Sequence, residues 1–335
     1  MLGPGEGTTR GPGSLSSGAP VIRAENLRHS YDGKRYALDG VTFSVARGEV
    51  FGLLGRNGAG KSTLIKAMTT LIQPTSGTLR VLGYDPRHEG GKIRERIGVV
   101  QQAESFEFTT VEGNLDLHGY MWRVPKAERR RRVEVLLERF GLGEIRRRRA
   151  FDISGGQKRR TQVAREFMHD MEVLFLDEPT IGLDVLMRRV LLDSIKAEVR
   201  RGLTVVFTTH NLEEADYLCD RVAVIDEGKI LAMDTVENLK RLYSGKRTID
   251  LTVGEADAAR YFAALQSTLG DGATLTVRGS AAIALVSDPK AALATIVELA
   301  QRLGVQLEWL TVRQNTLEDV FLRSINPGGE TPGHA

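Results

Sequence analysis

The sequence predicts an α/β fold: a parallel sheet covered by helices on both faces, followed by a smaller α+β unit. Three observations predict it. Short β-branched and apolar runs alternate with helix-length segments from about residue 21 to residue 243, the pattern of a parallel sheet buried on both sides. A glycine-rich loop ending in Gly60-Lys61-Ser62 stands between such a run and a helical segment. After Ser244-Gly245 the order becomes strand, helix, two strands, helix, strand, which predicts a ferredoxin-like sandwich.

The 335 residues suit a core domain plus a smaller one. The formal net charge is only +3. A balance so near neutrality does not mark a nucleic-acid binder, despite a pI of about 9.0. The single cysteine, Cys219, excludes a disulfide framework and a four-cysteine zinc site within one chain. It lies in a helix-like stretch and reads as a small buried apolar residue. No apolar run approaches the ~20 residues that span a bilayer as a helix. The N-terminus has no positive patch followed by an apolar core, so no secretory signal is expected. These features predict a cytoplasmic protein, unless a partner holds it at a membrane.

In chain order, residues 1–20 are rich in glycine and serine and nearly devoid of apolar side chains. They are expected to be a disordered tail, as are residues 326–335. Strands are predicted at Val50–Leu54, Ile97–Val100, 173–176, 204–208 and 222–225, and helices at 61–71, 155–168, 186–201 and Leu212–Leu218. Asn211 with Glu214 predicts a capping box for the last helix. Residues 111–151 look helical and highly charged, with arginine runs at 129–132 and 146–149. A solvated helical subdomain at about 103–155 is expected, the alternative being a surface for anionic lipid or an acidic partner helix. The first domain is thus placed at 21–243 and the second at 246–325. The second should have strands at 248–253, 275–277, 282–286 and 307–312 and helices at 256–269 and 290–303. Thr316 and Asp319 have capping-box spacing, and Leu317, Val320 and Phe321 share the face of a closing helix.

The chemistry begins at Gly55-Arg56-Asn57-Gly58-Ala59-Gly60-Lys61-Ser62, which fits G-x-x-x-x-G-K-[ST] between strand and helix. Glycines let backbone N–H groups curl round a phosphate, and a helix N-terminus adds positive potential. Lys61 can reach β- and γ-phosphates, and the Ser62 hydroxyl can ligate Mg²⁺. Asp177-Glu178 ends the apolar run 173–176, at the carboxyl end of a buried parallel strand where ligands bind. Asp177 would hold Mg²⁺ through water, and Glu178 would polarise an attacking water. Taken alone, the pair could be a solvated turn before Pro179; the phosphate loop in the same chain argues otherwise.

Ile153-Ser154-Gly155-Gly156-Gln157, about twenty residues upstream, resembles with these motifs the signature of ABC ATPases. The resemblance covers about residues 21 to 243, and the other family elements follow in order. Tyr31 stands where the adenine-stacking aromatic is expected. Gln102 is the Q-loop glutamine and Mg²⁺ ligand, with Gln101 beside it as the alternative. Gly182-Leu183-Asp184 looks like the D-loop, and His210 like the switch histidine. The resemblance adds Thr63 and Gln157 to the nucleotide contacts. It implies ATP and Mg²⁺ as cofactors and two domains facing head to tail, each ATP lying between one phosphate loop and the other domain's signature. Ser154, Gly155 and Gly156 would then meet the γ-phosphate across the dimer, where a helix start offers N–H groups and a dipole to an anion. His210 would orient Glu178 and the water.

Thr316-Leu317-Glu318-Asp319-Val320-Phe321-Leu322 resembles the closing segment of drug-export ATPases of the daunorubicin-resistance type. Two departures are Val185, where proline often follows the D-loop aspartate, and the glycine-rich N-terminus. The resemblance implies the motor of an exporter at the cytoplasmic face of the membrane. A separate multi-span permease and a second ATPase subunit, favoured as an identical copy, would be its partners. A soluble regulatory or nucleic-acid-maintenance ATPase is the alternative, although such relatives usually carry coiled coils, zinc cysteines or two phosphate loops. A nucleotide sensor without turnover is a third reading, opposed by Glu178 and His210. His29, His88, His118, His169 and His334 fit no metal-ligand spacing.

Overall fold

The computed structural model describes residues 19–103, 106, 108–242, 247–270, 273–313 and 316–325. Apart from residues 19 and 20, the two expected tails lie outside the described residues. The chain divides into two compact units between Asp234 and Thr235.

The first unit holds strands β1 (Ile22–Ser30), β2 (Tyr36–Val45), β3 (Val50–Leu54), β4 (Ser76–Val81), β5 (Ile97–Val100), β6 (Val173–Asp177), β7 (Thr204–Thr209), β8 (Arg221–Asp226) and β9 (Lys229–Thr235). Its helices are α1 (Lys61–Met68), α2 (Gly90–Arg94), α3 (Val111–Met121), α4 (Lys126–Arg139), α5 (Gly155–Glu166), α6 (Val185–Val199) and α7 (Leu212–Leu218). A six-stranded sheet runs in the order β5-β6-β7-β3-β8-β9. The pairs β5–β6, β6–β7, β7–β3 and β3–β8 are parallel. Strands β3, β6 and β7 are buried along their whole length, so their carboxyl ends deliver the phosphate loop, the acidic pair and His210 to one edge of the sheet.

A second sheet, β2-β1-β4, is antiparallel and was not expected. Its strands alternate buried and exposed residues instead of running apolar throughout. A register shift between Ala24 and Leu27 and a positive φ at Asn26 further break the pattern. It shares one core with the main sheet: Leu27, Leu38 and Phe43 join Phe51, Leu64 and Phe175. Phe43 and Phe51 stack with centroids 5.4 Å apart.

The charged stretch folds into α3 and α4, with short 3₁₀ turns after them. Several of its arginines face its own acids: Arg129 meets Asp116 at 2.8 Å, Arg132 meets Glu128 at 2.8 Å, and Arg146 bridges Glu112 and Glu134 at 2.9 and 2.7 Å. These internal pairs fit the expectation of a solvated helical stretch.

The second unit holds α8 (Val236–Leu242), β10 (Arg247–Val253), α9 (Glu255–Leu269), β11 (Thr274–Arg278), β12 (Ala281–Val286), α10 (Pro289–Leu303), β13 (Leu307–Arg313) and α11 (Leu317–Ile325). The antiparallel order β11-β12-β10-β13 is that of a ferredoxin-like sheet. Ile249, Leu251, Tyr261, Phe262, Ile296 and Leu299 form its own core. Asp288 caps α10 by accepting from Lys290 N and Ala291 N, and Pro289 fills the first turn. The first domain was placed as far as residue 243, which would include α8. Instead it packs against α11 within the second unit, with Val236 and Leu239 buried. In α11 Leu317 and Val320 are buried and Phe321 is half-buried. The Asp319 side chain lies outside what is described.

Candidate nucleotide site

Residues 55–60 turn the chain from β3 into α1. Gly60 precedes the helix at φ 110°, a left-handed conformation that a side chain disfavours. A Cβ on Gly55 would stand 2.3 Å from the Ile225 carbonyl oxygen, so only glycine lets the loop lie against β8. Lys61 is buried, and its Nζ donates to the carbonyls of Gly55 at 2.7 Å and Arg56 at 3.0 Å. Burial pushes its ammonium below the ordinary lysine value, while Glu178 and Asp177 act in the opposite sense.

The acidic pair meets the lysine from β6. Glu178 Oε1 is 4.0 Å from Lys61 Nζ, and its Oε2 is 3.3 Å from His210 Nδ1. Glu178 has φ 49°, uncommon outside glycine. Its N–H donates to the Thr208 carbonyl at 3.1 Å and to the Thr208 hydroxyl at 3.0 Å. That hydroxyl donates to Asp177 Oδ1 at 2.7 Å. Lys61, Ser62, Asp177, Glu178 and His210 therefore occupy one edge.

Tyr31 is 62% exposed, with its ring edge-on to His29 at 4.6 Å and its Oη 3.3 Å from Thr63 Oγ1. It borders a cavity of about 820 Å³ also lined by Tyr36, Arg56, Asn57, Gly58 and Ala59.

A family model described as ABC transporter matches residues 38–181. The daunorubicin resistance ATP-binding protein DrrA3 of Streptomyces coeruleorubidus is 40% identical over 303 residues, covering 90% of this chain and 95% of that protein. The chain belongs to the ATP-binding subunits of ABC transporters, among those of the daunorubicin-resistance type. The linearmycin resistance ATP-binding protein LnrL of Bacillus subtilis is 38% identical, covering 71% of this chain and 77% of its own. The dimeric structure of an ATP-binding cassette in a post-hydrolysis state with ADP and Pi superposes with a TM-score of 0.60. It is 25% identical and covers 64% of this chain and 98% of its own. As a member of this family the chain binds and hydrolyses ATP in a reaction coupled to transport.

Other motif residues of the ATP-binding subunit stand at helix starts and after β5. Ser154 caps α5: its Oγ accepts from Gln157 N at 3.3 Å, and Gln157 Oε1 accepts from Ser154 N at 3.0 Å, completing a capping box. A Cβ on Gly156 would stand 3.1 Å from the Gly182 carbonyl oxygen and 3.2 Å from a Leu183 methyl, so Gly156 packs closely on residues 182–183. Asp184 caps α6 by accepting from Met187 N at 2.8 Å. Gln101 and Gln102 follow β5 and are both exposed.

The capping box expected at Asn211 is only half formed. Asn211 accepts from Glu213 N and Glu214 N, but the Glu214 carboxylate turns inward to the hydroxyls of Thr180 and Thr209, each 2.8 Å away. Sequence reasoning also passed over Thr208 and Arg159. Thr208 belongs to a β-branched run, the signal of an ordinary strand, and Arg159 sits in a helix full of polar residues.

Proposed function

We propose that this chain is the motor of an exporter, closing with a second copy of itself around MgATP and passing that motion to a separate multi-span membrane subunit. The observation that carries the reading is the placement of Glu178 between Lys61 and His210 at the end of a buried strand. Tyr31 would stack on the adenine. The 55–60 backbone with Lys61, Ser62 and Thr63 would hold the phosphates, Lys61 trading loop carbonyls for phosphate oxygens. Ser154, Gly155, Gly156 and Gln157 would reach the γ-phosphate of the opposite subunit, and Asp184 would join that contact. Glu178 accepts a proton from the attacking water, and His210 keeps its carboxylate oriented.

The donors suit Mg²⁺, which takes hard oxygen ligands and relies on one or two protein groups plus substrate phosphates. The Ser62 hydroxyl, the Asp177 carboxylate and the Gln102 side chain would hold it, and when bound it neutralises charge on the phosphates. Among the described residues no helix is long and apolar enough to cross a membrane. The chain would therefore sit at the cytoplasmic face by attachment to its permease. The daunorubicin and linearmycin resistance relatives support an antibiotic, drug or lipid-like cargo.

The experiment joins turnover and capture. Glu178→Gln should keep ATP binding and lose roughly 10²- to 10⁴-fold in kcat. Unimpaired steady-state hydrolysis would remove Glu178 from its role. Tagged Glu178→Gln protein, extracted in mild detergent with ATP, should bring down a multi-span membrane protein in stoichiometric amount. Recovery of soluble partners or nucleic acid alone would favour a soluble regulatory ATPase.

A further inference from the structure

The helix that begins at the signature carries a buried cation used by none of the roles above. Arg159 lies five residues after Ser154 and is only 6% exposed. Its Nη2 donates to the carbonyls of Asp177 at 2.6 Å and Glu178 at 2.9 Å, and its Nε donates to the Pro179 carbonyl at 3.1 Å. Its Nη1 donates to the Gln101 carbonyl at 2.5 Å and to Gln162 Oε1 at 3.2 Å. Gln162 Nε2 donates in turn to the Ala103 carbonyl at 3.0 Å.

One side chain thus gathers three consecutive carbonyls at the end of β6 and a fourth after β5. Three successive carbonyls can converge on one guanidinium because the chain turns back at Glu178, at φ 49°. Such a conformation persists only where its surroundings over-determine it. Thr208 supplies one restraint, on the Glu178 N–H; Arg159 supplies the other, on the carbonyls. The planar, permanently charged fork of arginine suits the task, and a lysine ammonium could not reach all four oxygens in fixed directions.

We propose that Arg159 is a positioning residue for Glu178. It holds the backbone of residues 177–179 in the turn that aims the carboxylate, and ties that aim to the segment carrying Gln101 and Gln102. The inference rests on Glu178 being the base. A shift of the Gln101 carbonyl then moves the guanidinium, and with it the direction of the carboxylate. Arg159 acts through Glu178 and touches no reacting atom.

The test uses the full chain with Arg159→Lys and Arg159→Gln, each alone and combined with Glu178→Gln. Each single variant should lower kcat by about tenfold or more, Gln more than Lys, since small misplacements of a catalytic group are costly. The KM for ATP, and the Kd of a fluorescent ATP analogue, should change by less than about twofold. In the Glu178→Gln background the Arg159 changes should cause no further loss, because the group they aim is already gone. Three results would overturn the role: a folded variant with unchanged kcat, an equal loss in the Glu178→Gln background, or nucleotide affinity falling with turnover. Should the Arg159 variants lack a cooperative thermal transition, Gln162→Met removes one anchor and keeps the charge. It should lower kcat at unchanged Kd, and full kcat in it overturns the proposal. Normal turnover in Glu178→Gln alone would overturn the base itself, whereas a silent Arg159 beside an inactive Glu178→Gln overturns only the positioning.

Discussion

Glu166, near the end of α5, shows how burial alone can reverse the charge logic of a side chain. Burial raises its carboxyl from 4.5 to about 7, against the opposing influence of Arg165 and of the Val99 N–H it accepts. Burial, followed by Arg165 and His169, lowers His118 opposite it to about 3. Trp122 Nε1 donates to His118 Nε2 at 3.1 Å, which requires the neutral ring. The 3.9 Å approach of His118 to Glu166 is therefore no ion pair at pH 6. Between pH 4.5 and about 7 the native state alone keeps the Glu166 proton. The stability this confers is fully present below pH 4.5 and is lost as pH rises through about 7. Glu166→Gln, which can still accept from Val99, should gain on the native chain across that window by on the order of 3 kcal/mol. Urea midpoints at pH 5 and pH 8 check this; an equal difference at both would refute it. None of this was legible in the sequence, where His118 and His169 fit no metal-ligand spacing and nothing sets Glu166 apart from the other polar residues around it. Lys61, Asp177 and Glu178 were legible because local chain geometry places them: a loop before a helix, the end of a strand. Arg159 was not, because the carbonyls it gathers lie 18 to 58 residues away.

At the scale of elements, α5 has two duties at its start. The Ser154–Gln157 box closes the helix, while the same residues form the proposed contact for a phosphate held by the opposite subunit. Ser154→Ala removes a cap and should cost ~1 kcal/mol of stability. In a unit of this size that corresponds to a fall of roughly 2–4 °C in the melting temperature. A thermal scan without nucleotide reads the cap alone, and an unchanged midpoint would show the box to be idle. Strands β3, β5, β6, β7 and β8 were readable as apolar runs because both faces of the parallel sheet are covered. Strands β1, β2 and β4 were not, since alternation interrupted by a bulge resembles a polar loop in one dimension. Helix ends were overrun by a few residues: α1 stops at Met68, where Thr69 caps it and Thr70 takes φ 67°. The half-formed box at Asn211 has the same origin, because Glu214 finds hydroxyl partners that local spacing cannot foresee.

For the whole molecule the decisive fact, among the described residues, is that each unit has a core of its own, one including Phe51 and Phe175 and the other Tyr261 and Ile296. Calorimetry of the full chain should show two transitions. MgATP should raise only the one belonging to the first unit, by about 2.7 kcal/mol at a hundredfold excess over Kd. A single transition shifted as a whole by nucleotide would mean the units unfold as one. The ferredoxin-like order of the second unit was foreseen from alternating runs; the place of α8 was not, because its partner α11 lies some eighty residues further on. Strand order within the first unit also governs how the protein is born. Strand β3 carries the phosphate loop, yet both its neighbours, β7 and β8, come at least 150 residues later in the chain. Gly55 then rests against Ile225, and Ala59 accepts from Gly228 N at 2.9 Å. At a synthesis rate of about 5–20 residues per second, the loop emerges roughly 8–30 s before the strands that shape it. A nascent chain therefore cannot grip nucleotide until most of the first unit has left the ribosome, and every chain in the cell passes through an interval in which a strand destined for full burial waits without a neighbour.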